Sequence, residues 1–436
     1  MIDKIVNYLK SKSSQYEVFY TRNTSTDAEI TKDRISFVSD GVTHGIAVRV
    51  IIDGKPGFAY TSNLDSYRHC VDTAIKVAKS SRPDKDFMGF VTPKRFRKVQ
   101  GCDKELLSMG PDWMHSFSGD YIGVIKSIDS SITCSMALLS KDIEETRIIN
   151  SEGLDVEDKV ATVSFQGSLL MKCDGRLESV DFEHGGKKLL EPQVAKDSAQ
   201  RLIGQRGKQN VKTSDMQLIL HPDAMASLLG ESYAFSVDGS NQFLKKSLWH
   251  DKIGSRVMDS KITILDDAVT PGLFCTRPFD NEGSPSRSIK VIEKGVLKNF
   301  LYDNYYSKLA KRESTGNAYR NAVTLPKISP NNIIIRHGKV KDVISEAGKA
   351  IYVRSMLGLH TMNESTGDFS LGVMEGHYVE NGQIKYPVKD AMIAGNFFEL
   401  MNDVSAIGKE VKHSLEVSGG CYLPEMMFNK IRVIGK

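Results

Sequence analysis

The chain has 436 residues, of which 40% are hydrophobic and 26% charged, enough apolar material for the cores of two or three domains. Its 58 basic and 54 acidic residues leave a net charge of +4, spread along the whole length. With no basic tail and no basic run interleaved with aromatics, a dedicated phosphate-neutralising surface for nucleic acid is not expected.

The opening segment "MIDKIVNYLK" puts Ile2, Ile5, Val6 and Leu9 on one helical stripe with lysines opposite. It is too interrupted by charge for a signal peptide, and no apolar run approaches the roughly 20 residues that span a membrane. A cytoplasmic location is the expectation. The pattern then changes to period two, predicting strands over 17–21, 27–31, 35–39, 45–52 and 57–62, with turns at Asp40-Gly41 and Asp53-Gly54. Helical spacing returns at "SYRHCVDTAIKVAKSS", where Cys70, Ala74, Val77 and Ala78 share a side. The fold class expected is α+β, with a first α+β module over residues 1–90.

A Pro- and charge-containing connection leads to a second α+β module over 104–208. It opens on a helix ("MHSFSGDYIGVIKSIDSS"), continues in strands such as "ITCSMALLSK" and "VATVSFQGSLLMKCDG", and closes on a helix near "EPQVAKDSAQRLIGQR". From 214 to 436 the chain reads as a large β-rich C-terminal domain. Short helices are expected at 342–350 and 397–401, and Asn381-Gly382 is a clear hairpin turn.

The chemistry-bearing residues form no familiar local motif. The ten histidines include no pair within a turn or two on one helix, so an HExxH-type zinc site is absent. The six cysteines are far apart with no CxxC, as expected of thiols in a reducing compartment. There is no GxSxG elbow and no phosphate-binding glycine spacing; "VSGGC" before Tyr422 reads as a plain turn or, less simply, as an anion-binding nest. One acid stands out: in "LLGESYAF" (228–235), Glu231 interrupts a helix whose Leu228, Leu229 and Tyr233 repeat at helical spacing. The remaining polar features are Gly-rich loops, "RESTGNAYR" and "HTMNESTGDFSLG" above all, which are either turns or the lining of a groove.

In order and spacing, "RPFDNEG", "IEKGVLKNFLYD", "STGNA", "GLHTMNESTGDFSLG" and "ENGQIKYPVKDAMIAGN" resemble the C-terminal domain of the TldD/PmbA family. "GIAVRVIIDGKPGFAYTSNLD" is similar to that family's N-terminal signature and "IINSEG" to its middle-domain turn. The resemblance runs from about residue 17 to the end. It implies a pair of related subunits: TldD-type members carry an HExxxH zinc helix and cleave unfolded or short peptides, whereas PmbA (TldE) members share the fold, lack the histidines and assemble with TldD. Older naming calls the family modulators of DNA gyrase. Aligned with the zinc helix, "LLGESYAF" places Gly230 at the first histidine, keeps Glu231, and puts Ala234 and Phe235 where the second would fall.

The resemblance therefore implies a PmbA/TldE-like subunit with no metal and no cofactor of its own, zinc belonging to a TldD-like partner. Its loops would hold peptide substrate, with Arg277, Asn317, Asn363, Asp368 and Asn396 as candidate contacts and strand addition as one way to grip an extended chain. Two other readings stay open: a stand-alone, self-associating peptide-binding scaffold, or a hydrolase with an unorthodox site built on Glu231.

Overall fold

The structure, a computed structural model, describes residues 1–99, 103–173, 175–415 and 420–436. Helix α1 (Ile2–Lys10) buries Ile5, Val6 and Leu9, the stripe read from the sequence. Three long strands follow, β1 (Gln15–Thr31), β2 (Arg34–Ile52) and β3 (Lys55–Thr61), then α2 (Tyr67–Ser80). The second module contributes α3 (Pro111–Ile128), β4 (Thr133–Asn150), β5 (Asp155–Cys173), β6 (Arg176–Gly186) and α4 (Val194–Ile203).

These six strands make one antiparallel sheet in the order β3-β2-β1-β4-β5-β6. The two modules are joined because β1 pairs with β4 from Glu17 opposite Asn150 to Thr31 opposite Met136. Strands of 17 to 19 residues exceed the usual length, so each end of the ribbon needs its own cover. At one end α1 and α2 pack on Val18, Ile46, Val48 and Val50; at the other α3 and α4 pack on Leu139, Val163 and Phe165. Helix α2 lies so close to β3 that a Cβ on Gly57 would sit 2.0 Å from the Ala74 carbonyl oxygen.

The expected turn at Asp40-Gly41 is not there: Asp40 pairs with Thr26 and Gly41 with Ser25 in mid-ladder. The β1–β2 hairpin turns instead at Lys32-Asp33, both left-handed, and β2–β3 turns at Asp53-Gly54 as expected. A turn dipeptide only favours a reversal, and seventeen paired residues of β1 outweigh it.

The C-terminal domain is a mixed twelve-stranded sheet among the described residues. Its main strands are β7 (Ser214–Leu220), β8 (Ile264–Asp267), β9 (Ser288–Glu293), β10 (Asn332–Ile335), β11 (Lys349–Leu357), β12 (Asp368–Glu380), β13 (Gln383–Lys389), β14 (Met392–Asn396), β15 (Val404–Ser414) and β16 (Cys421–Ile434). Central β16 is antiparallel to β7 and parallel to β10, and β7 is parallel to β11. The Asn381-Gly382 hairpin forms, with Glu380 opposite Gln383. The helix expected over 342–350 does not: only Ile344–Glu346 makes a 3₁₀ turn, because Lys349 already enters β11.

Helix α5 (Pro222–Leu228) follows β7 and runs into a π turn, Leu229–Tyr233, and then α6 (Ala234–Val237). Leu228, Leu229, Tyr233 and Val237 sink into the main core against β7, β11 and β16. Two further helices, α7 (Asn304–Leu309) and α8 (Phe397–Asn402), lie at the sheet's ends. No described helix is long and apolar enough to cross a membrane.

Candidate functional site

The helix that carries Glu231 starts sharply. His221 leaves β7 in extended backbone, its Nδ1 accepts the Asp223 amide N–H at 3.2 Å, and Pro222 takes the first helical position, where no amide is needed. The next turns widen from α to π at Leu229–Tyr233. A π turn closes its backbone bond over five residues, one more than an α turn, and so changes the angular offset between Gly230 within it and Phe235 beyond it. Such single-turn insertions recur at functional sites.

Glu231 is half-buried on this turn. Partial burial raises its carboxyl above the usual range, and the nearby Glu364 carboxylate raises it further. Glu364 belongs to the loop 361–366, which with Phe235 and Lys246 forms an open hollow beside the helix. Glu231 thus has an acid for a neighbour.

The five loop residues singled out from the sequence fall into two groups. Asn363, Asp368 and Asn396 brace one loop. Asn363 Oδ1 accepts the amides of Ser365 and Thr366; Asp368 accepts from the Thr366 hydroxyl and from Asn396 Nδ2, each at 2.8 Å; and Asn396 Oδ1 caps α8 by accepting the Phe398 and Glu399 amides. These bonds hold the loop's shape, and Gly367 is required there by its φ of +81° and by the Phe398 ring.

Arg277 and Asn317 lie elsewhere, around a buried acid the sequence did not flag. Asp266, on β8, accepts from Asn317 Nδ2 at 2.9 Å, from Asn331 Nδ2 at 3.0 Å and from the Asn331 amide at 2.6 Å. Arg277 clamps Asn331 and Asn281 through their side-chain oxygens, at 3.0 and 2.6 Å. Asp280 beside it accepts the amides of Glu282, Ser284 and Ala318. Burial pushes both carboxyls up, Asp266 to about 6 and Asp280 to about 6, with Glu282 adding to the rise at Asp280.

Immediately next to them a buried ion-pair network crosses to the first module. Arg49 meets Glu17 through two bonds, at 2.9 and 2.8 Å, and Glu282 at 2.9 Å; Arg320 meets Glu17 at 2.6 Å and lies 4.3 Å over the Phe19 ring. Above this layer opens a cavity of about 670 Å³ between the face of the six-stranded sheet and the loop "RESTGNAYR". Arg277, Asp280, Asn281 and Arg320 form one wall; Asn23, Asp142, Glu144 and Asp158, on β1, β4 and β5, form the other. Apolar side chains, Tyr60, Phe279, Tyr319 and Val323 among them, line it as well, and it is set against a sheet face and not a sheet edge.

The sequence matches the PmbA/TldA metallopeptidase C-terminal domain over 213–435, its domain 1 over 16–78 and its central domain over 112–206. The chain belongs to the PmbA/TldD metallopeptidase family. It is 28% identical to an uncharacterized protein of Methanocaldococcus jannaschii, over 96% of this chain and 99% of that one. It is 24% identical to a protein named as a metalloprotease PmbA homolog in Haemophilus influenzae, over 91% of this chain and 87% of that one. In structure it superposes on TldE from Thermococcus kodakarensis with a TM-score of 0.93 at 22% identity, each chain covered completely, which establishes a common fold.

A metallopeptidase family raises the question of a zinc ion. The helix of this PmbA/TldD member does not suit one. Gly230, Ala234 and Phe235 carry no donor atom, and Glu231 alone is far short of the three protein ligands a catalytic zinc takes. Among the described residues, no group of three or more His, Cys, Asp or Glu side chains is placed to hold a metal. Cys421 sits buried on β16, where the loss of solvation raises its thiol and opposes the thiolate a metal needs. Val417, Ser418 and Gly419 of the "VSGGC" stretch lie outside the described residues.

Proposed function

We propose that this chain is a zinc-free, TldE-like subunit that works with a zinc-bearing TldD-like peptidase, holding unfolded or short peptides for cleavage by the partner. The observation that carries the reading is the π-turned helix: where the resemblance expects zinc ligands it holds Gly230, Ala234 and Phe235, while the family glutamate survives as Glu231. Between them these residues offer one carboxylate, whose ionised form is disfavoured by burial and by the Glu364 carboxylate. The cleft beside Arg277 supports the peptide-holding part. It offers carboxylates and guanidinium groups on opposing walls, a lining suited to the mixed charges of an unfolded chain.

The test measures bound zinc and cleavage of an unfolded protein by this chain alone, by a TldD-like partner alone and by the two together. The expected result is zinc and activity with the partner only, with activity raised in the mixture, and a Glu231→Gln change in this chain leaving the mixture's rate within twofold. Stoichiometric zinc or full activity in the isolated chain overturns the proposal.

A further inference from the structure

A second cavity, of about 410 Å³, lies on the far side of the buried ion-pair network, between β2, β3, the segment 84–90 and helix α7. Its walls are aromatic: Phe58, Phe87, Phe90, Tyr305 and Tyr306 all face it. Phe87 and Phe90 meet edge to face at 5.2 Å, as do Tyr305 and Tyr306. Val77, Met88 and Leu325 surround the mouth and are 42%, 52% and 54% exposed, an apolar rim in contact with water. At the inner end is Asp303, only 5% exposed.

Asp303 has no cationic partner among the described residues. One carboxyl oxygen accepts the Tyr306 amide at 2.8 Å as the cap of α7, and among the described residues no hydrogen bond reaches the other. The charged groups that face it are acids: Glu282, Asp280 and Asp238. The two cations bordering the cavity are engaged. Arg49 is held by Glu17 and Glu282, and Lys308 donates to the Met88 and Gly89 carbonyl oxygens at 2.8 and 2.7 Å. Asp84, the remaining acid of the lining, accepts from the Tyr305 hydroxyl.

We propose that this cavity binds a small organic ammonium ion, with Asp303 meeting the charge and the aromatic walls and apolar rim enclosing the body. An aromatic face is the negative side of the ring quadrupole and attracts a cation, as Phe90 already does with the Arg49 guanidinium at 5.3 Å. An anion would meet Asp303 and Glu282 at the inner end, and a neutral body would leave that group of acids without a countercharge. The volume suits a compact amine, at the lower end of the range for small-molecule sites.

The electrostatics of Asp303 supply a signature for the test. Burial, with Glu282, Asp280 and Asp238 adding to it, pushes its carboxyl well above the usual carboxylate range. An arriving ammonium reverses that preference, and the carboxyl ionises as the cation seats. Any proton that the empty site carries leaves as the cation binds, so the ammonium's affinity rises with pH until the free site is ionised.

The experiment is calorimetric titration of the full chain at pH 7 with 4-phenylbutylammonium, alongside 4-phenylbutanol and 4-phenylbutanoate. The expected result is one saturable site for the ammonium, with the alcohol and the carboxylate at least tenfold weaker. Repeating the titration at higher pH should tighten the ammonium until the free site is ionised. Asp303→Asn reproduces the neutral carboxyl's shape, and should weaken the ammonium at least tenfold while keeping the wild-type melting temperature. Equal binding of amine and alcohol, or unaltered binding by Asp303→Asn, overturns the assignment. Should that variant not fold, the wild-type titrations decide: ammonium binding no tighter than that of the alcohol overturns it.

Discussion

Asp266 shows how a single side chain can be decisive in the structure and inconspicuous in the sequence. It stands in "ITILDDAV", where two aspartates follow a strand, and nothing local says that the first is enclosed while accepting three hydrogen bonds. Burial raises its carboxyl to about 6 against an ordinary 3.8. Because the folded value is the higher one, its contribution to stability is fully present below about 3.8 and is lost as pH rises through about 6. Infrared spectra at pH 5 should accordingly retain a protonated carboxyl band that weakens in Asp266→Asn. An unchanged band in that variant would show that Asp266 is already ionised there. Glu17 works in the opposite sense. Arg320 and Arg49 hold its carboxyl below the ordinary value despite full burial, so its stabilisation is present at neutral pH and is lost on acidification.

At the scale of elements, the π turn at Leu229–Tyr233 was hidden from any reading based on a period of 3.6. Leu228, Leu229 and Tyr233 fit an ordinary helix well enough, and the extra residue shows only in the backbone. The turn makes a sharp prediction. If positions 230 and 235 share a face around Glu231, then Gly230→His combined with Phe235→His should bind zinc at least tenfold more tightly than either single variant, measured by metal analysis after dialysis. Equal binding by the singles and the double would place the two positions on different faces. A second prediction concerns α2. Since a side chain on Gly57 would run into the Ala74 carbonyl, Gly57→Val should cost about 2–4 kcal/mol in urea unfolding, as the helix is pushed off β3. Hairpins were legible where the dipeptide met a free chain reversal, as at Asn381-Gly382 and Asp53-Gly54. Asp40-Gly41 misled because a long neighbouring strand was available to pair with it.

Across the whole molecule, several connections tie the parts together, the Arg201–Glu375 pair at 2.7 Å among them. The pairing of β1 with β4 makes the first two modules one sheet, and the Glu17–Arg49–Glu282–Arg320 network fastens that sheet to the C-terminal domain. Arg320 is fully buried, and its loss leaves Glu17 with a single cation in a dry setting. Arg320→Ala should therefore destabilise the protein by about 3 kcal/mol, in the range for breaking a buried pair, and should split thermal unfolding into separate steps for the two halves. A single transition with an unchanged midpoint would show that the network does not couple them. By itself the sequence determined the helical stripe of α1, most strand positions, the α+β class, the family, and the missing donor atoms at Gly230 and Ala234. All of these depend on residue type and short-range spacing, which survive without a fold. Only the tertiary structure decided that Asn363, Asp368 and Asn396 brace a loop, that Arg277 and Asn317 surround Asp266, and that Asp303 faces an aromatic cavity without a cation. Those facts depend on which distant segments meet, and so on the solvation and charge that each side chain finds around it.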